Sequence, residues 1–315
     1  MGRVRPEAVR FARWIALIFA LFLLPAAVPQ DTVIRVNVQL VRLLVTVKNA
    51  AGDLVGTLAK SNFSIYDNGA KQDVAIFEHH TGQPLSIALL FDTSASVGIA
   101  LKYESESAIR FLHAVLREGN PGDEVAFYTF NWQVSLQSDY TRRSEQLERK
   151  LHGIHAEGGT SLYDAIYLAS QEMQGREGRH VLIIVTDGGD TTSYKDFHQA
   201  LEGAQRADAV IYPILVMPIT NDAGRNIGGE NALTTLSKGT GGMVFRPDLG
   251  AALDNAFSDI LSALRTQYLL AYYPKDVPLT KNRFHQLRVT VDRPALQIIT
   301  RTGYYGDSED TSHKR

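Results

Sequence analysis

Residues Leu85–Phe91 form a nearly unbroken apolar run that stops at an acid, and Asp92-Thr93-Ser94-Ala95-Ser96 follows directly. The run is too short for a helix of its own and lacks the polar alternation of a half-solvated strand. It therefore reads as a central strand of a parallel sheet, covered on both faces. The signature returns at Val181–Thr186, a second apolar strand that runs into Asp187-Gly188. Parallel strands end on the same edge of their sheet, and open α/β sheets bind ligands just past that edge. Asp92 and Asp187 are thus expected to converge, with Ser94 and Ser96 beside them. Hard divalent cations favour such an all-oxygen donor set.

Strands and helices alternate from Leu85 to about Arg265. Strands are expected at 85–91, 125–130, 181–186 and 210–216, with a short one at 243–245. Helical periodicity marks 103–116, 144–151, 162–174, 197–207 and 249–264. This alternation implies an α/β fold, a doubly wound and mainly parallel sheet with helices on both faces. A third piece of chemistry falls between these strands. Gly158-Gly159-Thr160-Ser161 sets a hydroxyl in a glycine-rich loop just before a helix.

The flanks read as β. Between Thr32 and Phe77 apolar and polar residues alternate, and Asp67-Asn68-Gly69 predicts a hairpin joining 63–66 to 74–77. From Gln267 to Tyr305 three further short strands are expected, with Tyr272 and Tyr273 in packing or pairing roles. Neither flank can bury a core alone, so the two are expected to pair into one small sandwich with the α/β domain inserted between their strands. The boundaries on this reading are 31–83, 84–265 and 266–305, with a polar, disordered tail at 306–315.

Composition removes several function classes. The formal charge is only -2, with no basic stripe carrying interleaved aromatics, so nucleic acid is not an expected partner. No phosphate-cradling glycine motif appears, which leaves nucleotides unsupported. The chain has no cysteine, hence no disulfide, thiolate nucleophile or cysteine-held zinc. His79-His80 lacks a third ligand and reads as a solvated pair.

The amino-terminal thirty residues have the layout of a secretory signal. Arg3, Arg5, Arg10 and Arg13 precede the apolar run Trp14–Leu24, and Pro25-Ala26-Ala27-Val28-Pro29 follows. The run is short for a bilayer span. The remainder is expected to fold outside the cytoplasm, secreted, periplasmic or on the envelope, with membrane attachment only where the segment stays uncleaved.

Asp-x-Ser-x-Ser after a first strand, Gly-Gly-Thr before a middle helix and Thr-Asp-Gly after a later strand together resemble the von Willebrand factor A domain and its metal-ion-dependent adhesion site. The flanking Tyr272-Tyr273-Pro274 and Arg301-Thr302-Gly303-Tyr304 are more loosely similar to a bacterial group of exported proteins carrying that domain. The resemblance implies a divalent cation, Mg²⁺ first and Mn²⁺ or Ca²⁺ as substitutes. Ser94 and Ser96 would bind it through their hydroxyls, Thr160 directly or through water, and Asp92 and Asp187 largely through water. It also implies an open coordination position for an acidic residue of a protein partner, hence a non-catalytic adhesion module. Ala95 stands where the family more often has glycine.

Three other readings compete. Asp92 and Asp187 could merely cap the helices that follow. The chain could be a structural module of an envelope assembly. It could also be a Mg²⁺-dependent aspartyl-phosphate hydrolase, which begins with an Asp after a first parallel strand. Such enzymes carry a second acid two positions on, where Ser94 stands here, and a lysine, for which Lys195 is the nearest candidate. Glu157, Asp190 and Asp196 read as a solvated rim, and Tyr163 and Tyr194 as packing residues.

Overall fold

A computed structural model describes residues 40–79, 82–216, 226–277 and 283–306. The segment read as a signal, His80, and the tail beyond Gly306 lie outside them. The chain opens with β1 (Val41–Lys48), β2 (Phe63–Asp67), β3 (Ala70–Gln72) and β4 (Ile76–His79). It continues through β5 (Leu85–Asp92), α1 (Leu101–Leu116), β6 (Glu124–Phe130) and β7 (Val134–Thr141). Next come α2 (Ser144–Leu151), α3 (Leu162–Met173), β8 (Arg179–Thr186) and α4 (Phe197–Arg206). β9 (Ala209–Leu215), α5 (Ile227–Thr240) and α6 (Ala251–Thr266) complete the α/β part. β10 (Tyr268–Tyr272), β11 (Phe284–Val291), β12 (Gln297–Ile299) and β13 (Gly303–Tyr305) close the chain.

The central sheet runs β7-β6-β5-β8-β9. Only β7 is antiparallel, folded back on β6. Every residue of β5 and of β8 is buried, as strands sandwiched between two helical layers must be. Ile87, Leu89 and Phe91 face α1 and α6, meeting Leu112, Phe257 and Leu264. Ala88 and Leu90 face the other way, toward Ile166 of α3, Ala204 of α4 and Leu233 of α5. The inserted sheet is thus doubly wound, and the register of β5 on β8 sets Phe91 opposite Val185.

The flanks build two antiparallel sheets, β12-β1-β10-β4 and β13-β11-β2-β3. Each combines strands from before and after the α/β part: Leu43 of β1 pairs with Leu270 of β10, and Ile65 of β2 with Val289 of β11. Leu43, Val45, Ile65, Tyr268, Leu270, Tyr272 and Leu287 share one core between them. Within that core Asp67 is fully buried yet well satisfied. It accepts from the hydroxyls of Tyr272 at 2.7 Å and Tyr304 at 2.9 Å, and His285 Nδ1 lies 2.9 Å from its other oxygen.

Four expectations need correction. The Asp67-Asn68-Gly69 turn forms, but its returning strand is β3, with Ala70 opposite Asp67. Residues 76–79 instead edge the other sheet, beside β10. A two-residue turn fixes its partner immediately, whatever the apolar content further on. Helix α5 was not anticipated, since Gly228, Gly229 and Gly239 dilute its periodicity. Residues 243–245 make a single bridge, Ile214 to Phe245, rather than a strand. Tyr273 is 54% exposed while Tyr272 is buried, so only the latter packs.

Because both outer sheets need strands from both flanks, residues 40–79 expressed alone should remain unfolded, whereas residues 85–266 alone should melt cooperatively. Circular dichroism on the two fragments checks this. In the whole chain, Leu43→Ala should cost about 2–5 kcal/mol in urea denaturation, the range for emptying a buried leucine site.

Candidate metal centre

Three loops leave the same edge of the central sheet. Asp92 is the last residue of β5, and Ser94 and Ser96 follow in a short turn, Ala95–Val97 being one turn of 3-10 helix. Thr160 lies two residues before α3, and Asp187 directly follows β8. Backbone bonds lace the loops together. Ala95 N donates to Gly158 O at 3.1 Å and Glu157 N to Thr93 O at 2.8 Å, which ties the first loop to the second. Thr191 N and Thr192 N donate to Thr160 O at 2.8 and 3.1 Å, and Thr160 N to Thr191 Oγ1 at 2.8 Å, which ties the second to the third. Gly158 has a φ of +73, and a Cβ there would sit 2.2 Å from Trp132 Cδ1, so no other residue fits that crossing. Ala95 is absent from the positive-φ positions, and its Cβ in place of glycine is accommodated without strain.

Asp92 is fully buried. Its Oδ1 accepts from Ser94 N at 2.8 Å and its Oδ2 from Thr186 Oγ1 at 2.6 Å. Thr186 in turn accepts from Gly188 N at 3.1 Å, so one hydroxyl braces both acidic loops. Ser94 Oγ and Ser96 Oγ stand 3.0 Å apart, the first buried and the second exposed. Neither acid caps a helix: α1 is preceded by Ala100, which offers no side-chain cap, and α4 is capped by Asp196, which accepts from Gln199 N at 2.8 Å. Capping therefore accounts for Asp196, expected on the rim, and not for Asp92 or Asp187. Asp190 is engaged too, accepting from Ser193 Oγ at 2.5 Å. Tyr194 is 97% exposed and packs on nothing, contrary to expectation.

A sixth residue belongs to this region and was not anticipated. Glu104, in the first turn of α1, is fully buried, and neither of its carboxylate oxygens has a hydrogen-bond partner. It feels the charges of both Asp92 and Asp187. Its sequence signal is an acid on the stripe Leu101, Ala108, Leu112, Val115 that α1 turns to the core. Burial, then the Asp92 and Asp187 charges, push the Glu104 carboxyl up to about 8. Burial likewise pushes Asp92 up to about 6, against the opposing pull of its Thr186 and Ser94 hydrogen bonds.

This donor set suits a hydrated divalent cation. Among the described residues, no three His, Cys, Asp or Glu side chains are grouped to hold an ion by themselves. An ion held here would therefore need the neutral hydroxyls of Ser94, Ser96 and Thr160 as direct ligands, with the acids reaching it through water. Orphaned, buried acceptors such as the Glu104 oxygens require donors, and metal-bound water is a donor.

The family profile of the von Willebrand factor type A domain matches residues 86–259. The comparison with curated proteins gives no match. Among solved structures, the conserved hypothetical protein BatB from Bacteroides thetaiotaomicron is similar at 18% identity and TM-score 0.46, over 57% of this chain and 98% of that one. The vWF domain of the type V pili tip protein Mfa5 from Porphyromonas gingivalis is similar at 16% identity and TM-score 0.47, over 58% and 97%. The PilB minor pilin from Streptococcus sanguinis is similar at 12% identity and TM-score 0.44, over 58% and 61%. Likenesses at this level carry no argument about function.

The two raised carboxyls set a pH dependence for the metal-free protein. Both titrate higher in the native state than unfolded, so the native state holds more protons across the interval between. Stability should therefore fall as pH rises from 5 to 8 in EDTA. Excess Mg²⁺ should reverse that slope, because the cation needs ionised carboxylates. In EDTA, Glu104→Gln should melt at nearly constant temperature above pH 6. Thermal melts at three pH values check both statements.

Proposed function

The chain belongs to the von Willebrand factor type A domain family, and on that premise we propose that it is an exported, non-catalytic module that captures a protein partner through a divalent cation. The observation that carries this reading is the lacing of three loops at one sheet edge. It gathers Asp92, Ser94, Ser96, Thr160 and Asp187 although they are scattered along the sequence. Ser94, Ser96 and Thr160 would hold the ion by their hydroxyls, Asp92 and Asp187 through bound water, and Glu104 would add charge from behind. When bound, the ion supplies an electrophilic position that a partner's Asp or Glu completes.

The hydrolase alternative lacks its parts. Ser94 occupies the position of the second acid. The Lys195 ammonium rests 4.4 Å over the Tyr167 ring on α3. Export rests on the arginine-flanked apolar segment before Pro25. No helix among the described residues is long and apolar enough to cross a membrane.

Mg²⁺ or Mn²⁺ at a hundred times its dissociation constant should stabilise the protein by about 2.7 kcal/mol, since an ion bound only to the native state contributes by mass action. Asp92→Ala should remove most of that gain. Partner capture from envelope extracts should be abolished by EDTA, Ser94→Ala and Thr160→Ala, and should persist at moderate salt, inner-sphere coordination being screened less than surface pairing. An identical partner set for wild type and Asp187→Ala would instead favour a structural envelope module. Sequencing of the exported protein should begin just after Ala27 or within the next three residues.

A further inference from the structure

The opposite edge of the central sheet holds a second, unrelated feature. At the amino-terminal ends of β8 and β9 lies a cavity of about 460 Å³, lined also by Leu44 of β1 and Leu269 of β10. Its wall carries Arg42, Arg176, Arg179, Arg206 and Arg301, against a single acid, Asp208. Three of these arginines are neutralised. Arg176 pairs with Glu124 at 2.5 Å, Arg206 with Glu202 at 2.7 Å, and Arg301 with Asp208.

The other two are not. Arg42 is exposed, and its side chain makes no hydrogen bond or ion pair among the described residues. Arg179 is only 5% exposed and makes no ion pair among the described residues, the Asp123 charge acting on it only from beyond contact. Its Nη1 donates to Leu264 O at 2.6 Å and Gln267 Oε1 at 3.3 Å, while its Nε has no partner. The buried Nε of Arg301 is also without a partner. The carboxyl end of α6, through Leu264 O, offsets part of the Arg179 charge. Neutral acceptors do not replace the counter-ion that a buried guanidinium needs. Burial pulls Arg179 down to about 10, which leaves it cationic at neutral pH.

We propose that this cavity is an anion-binding site for a small organic oxyanion with two or more charged oxygens, held by Arg179 from within and Arg42 from the rim. Guanidinium groups match phosphoryl and carboxylate oxygens in a fork geometry. The volume falls within the range of small-ligand sites, and Leu44 and Leu269 add an apolar wall for a carbon skeleton. An occupant would touch both the β module, through Arg42, and the inserted domain, through Arg179, and so would stiffen their junction. Phosphoryl and polycarboxylate compounds share the recognising chemistry, and the test separates them.

Metal-free full-length protein in EDTA should be titrated calorimetrically and thermally with inorganic phosphate and, separately, citrate, against sodium chloride of equal ionic strength. Binding heat and a melting-temperature rise absent from the chloride series are expected with one or both. Phosphate alone would assign a phosphoryl ligand, and citrate alone a polycarboxylate. Arg42→Gln, a surface change that should leave folding intact, should weaken binding about tenfold through loss of a charge-assisted contact. Arg179→Gln should abolish it where that variant folds, and Asp187→Ala at the other edge should leave it unchanged. A response to both anions no larger than that to chloride, or one undiminished by Arg42→Gln, would overturn the proposal.

Discussion

Parallel pairing of β5 with β8 is the constraint from which the rest of the candidate centre follows. The two strands are buried along their whole length and run in register from Leu85 opposite Arg179 to Phe91 opposite Val185. A slip of one residue would turn every apolar side chain to the wrong helical layer, so the register is strongly specified. It carries Asp92 and the Thr186-Asp187 pair to the same edge. The 2.6 Å bond from the Thr186 hydroxyl to Asp92 then locks the acid in place. The loop lacing around Gly158 adds Thr160 only because those strand ends already coincide.

Two buried carboxylates in the chain illustrate opposite solutions to one cost. Asp67 lies in the β core with two tyrosine hydroxyls and a histidine nitrogen around its oxygens. A side chain so satisfied is a structural pin, joining β2 to β10, β11 and β13. Glu104 is equally buried, and its oxygens have no donor at all. It lies instead within the field of two further acids. Burying two acids near a third, half-buried one destabilises a protein unless a cation or protons offset them. That contrast separates a carboxylate that holds the fold from one whose environment is completed by something else.

Much of this was legible in the sequence because an apolar run of strand length that ends in an acid delivers that acid to a sheet edge. The doubly wound sheet, the delivery of Asp92 and Asp187 to one sheet edge and the sharing of the outer sheets between both flanks were all readable from pattern. Other parts were hidden for physical reasons. Glycines at 228, 229 and 239 hid α5, where Asn226 supplies the cap by accepting from Gly229 N at 2.8 Å. The apolar character of Val74–Phe77 drew the hairpin partner away from β3, although turn geometry alone would have placed it. Glu104 looked like one more charge on an amphipathic helix. Only its phase, between Leu101 and Ala108 on the inner stripe, marks it as buried. Thr186 passed as an ordinary strand residue because its role depends on a partner from the neighbouring strand.

The central claim is that this sheet edge binds a divalent cation. Solution electron paramagnetic resonance of Mn²⁺ tests it most directly, because the sharp six-line signal comes from free ion. Titrating Mn²⁺ into metal-free protein should suppress that signal up to one equivalent per chain. Asp187→Ala should restore it, and excess Mg²⁺ should compete the ion away. A free-ion signal unattenuated by the wild-type protein, with folding verified, would contradict the account.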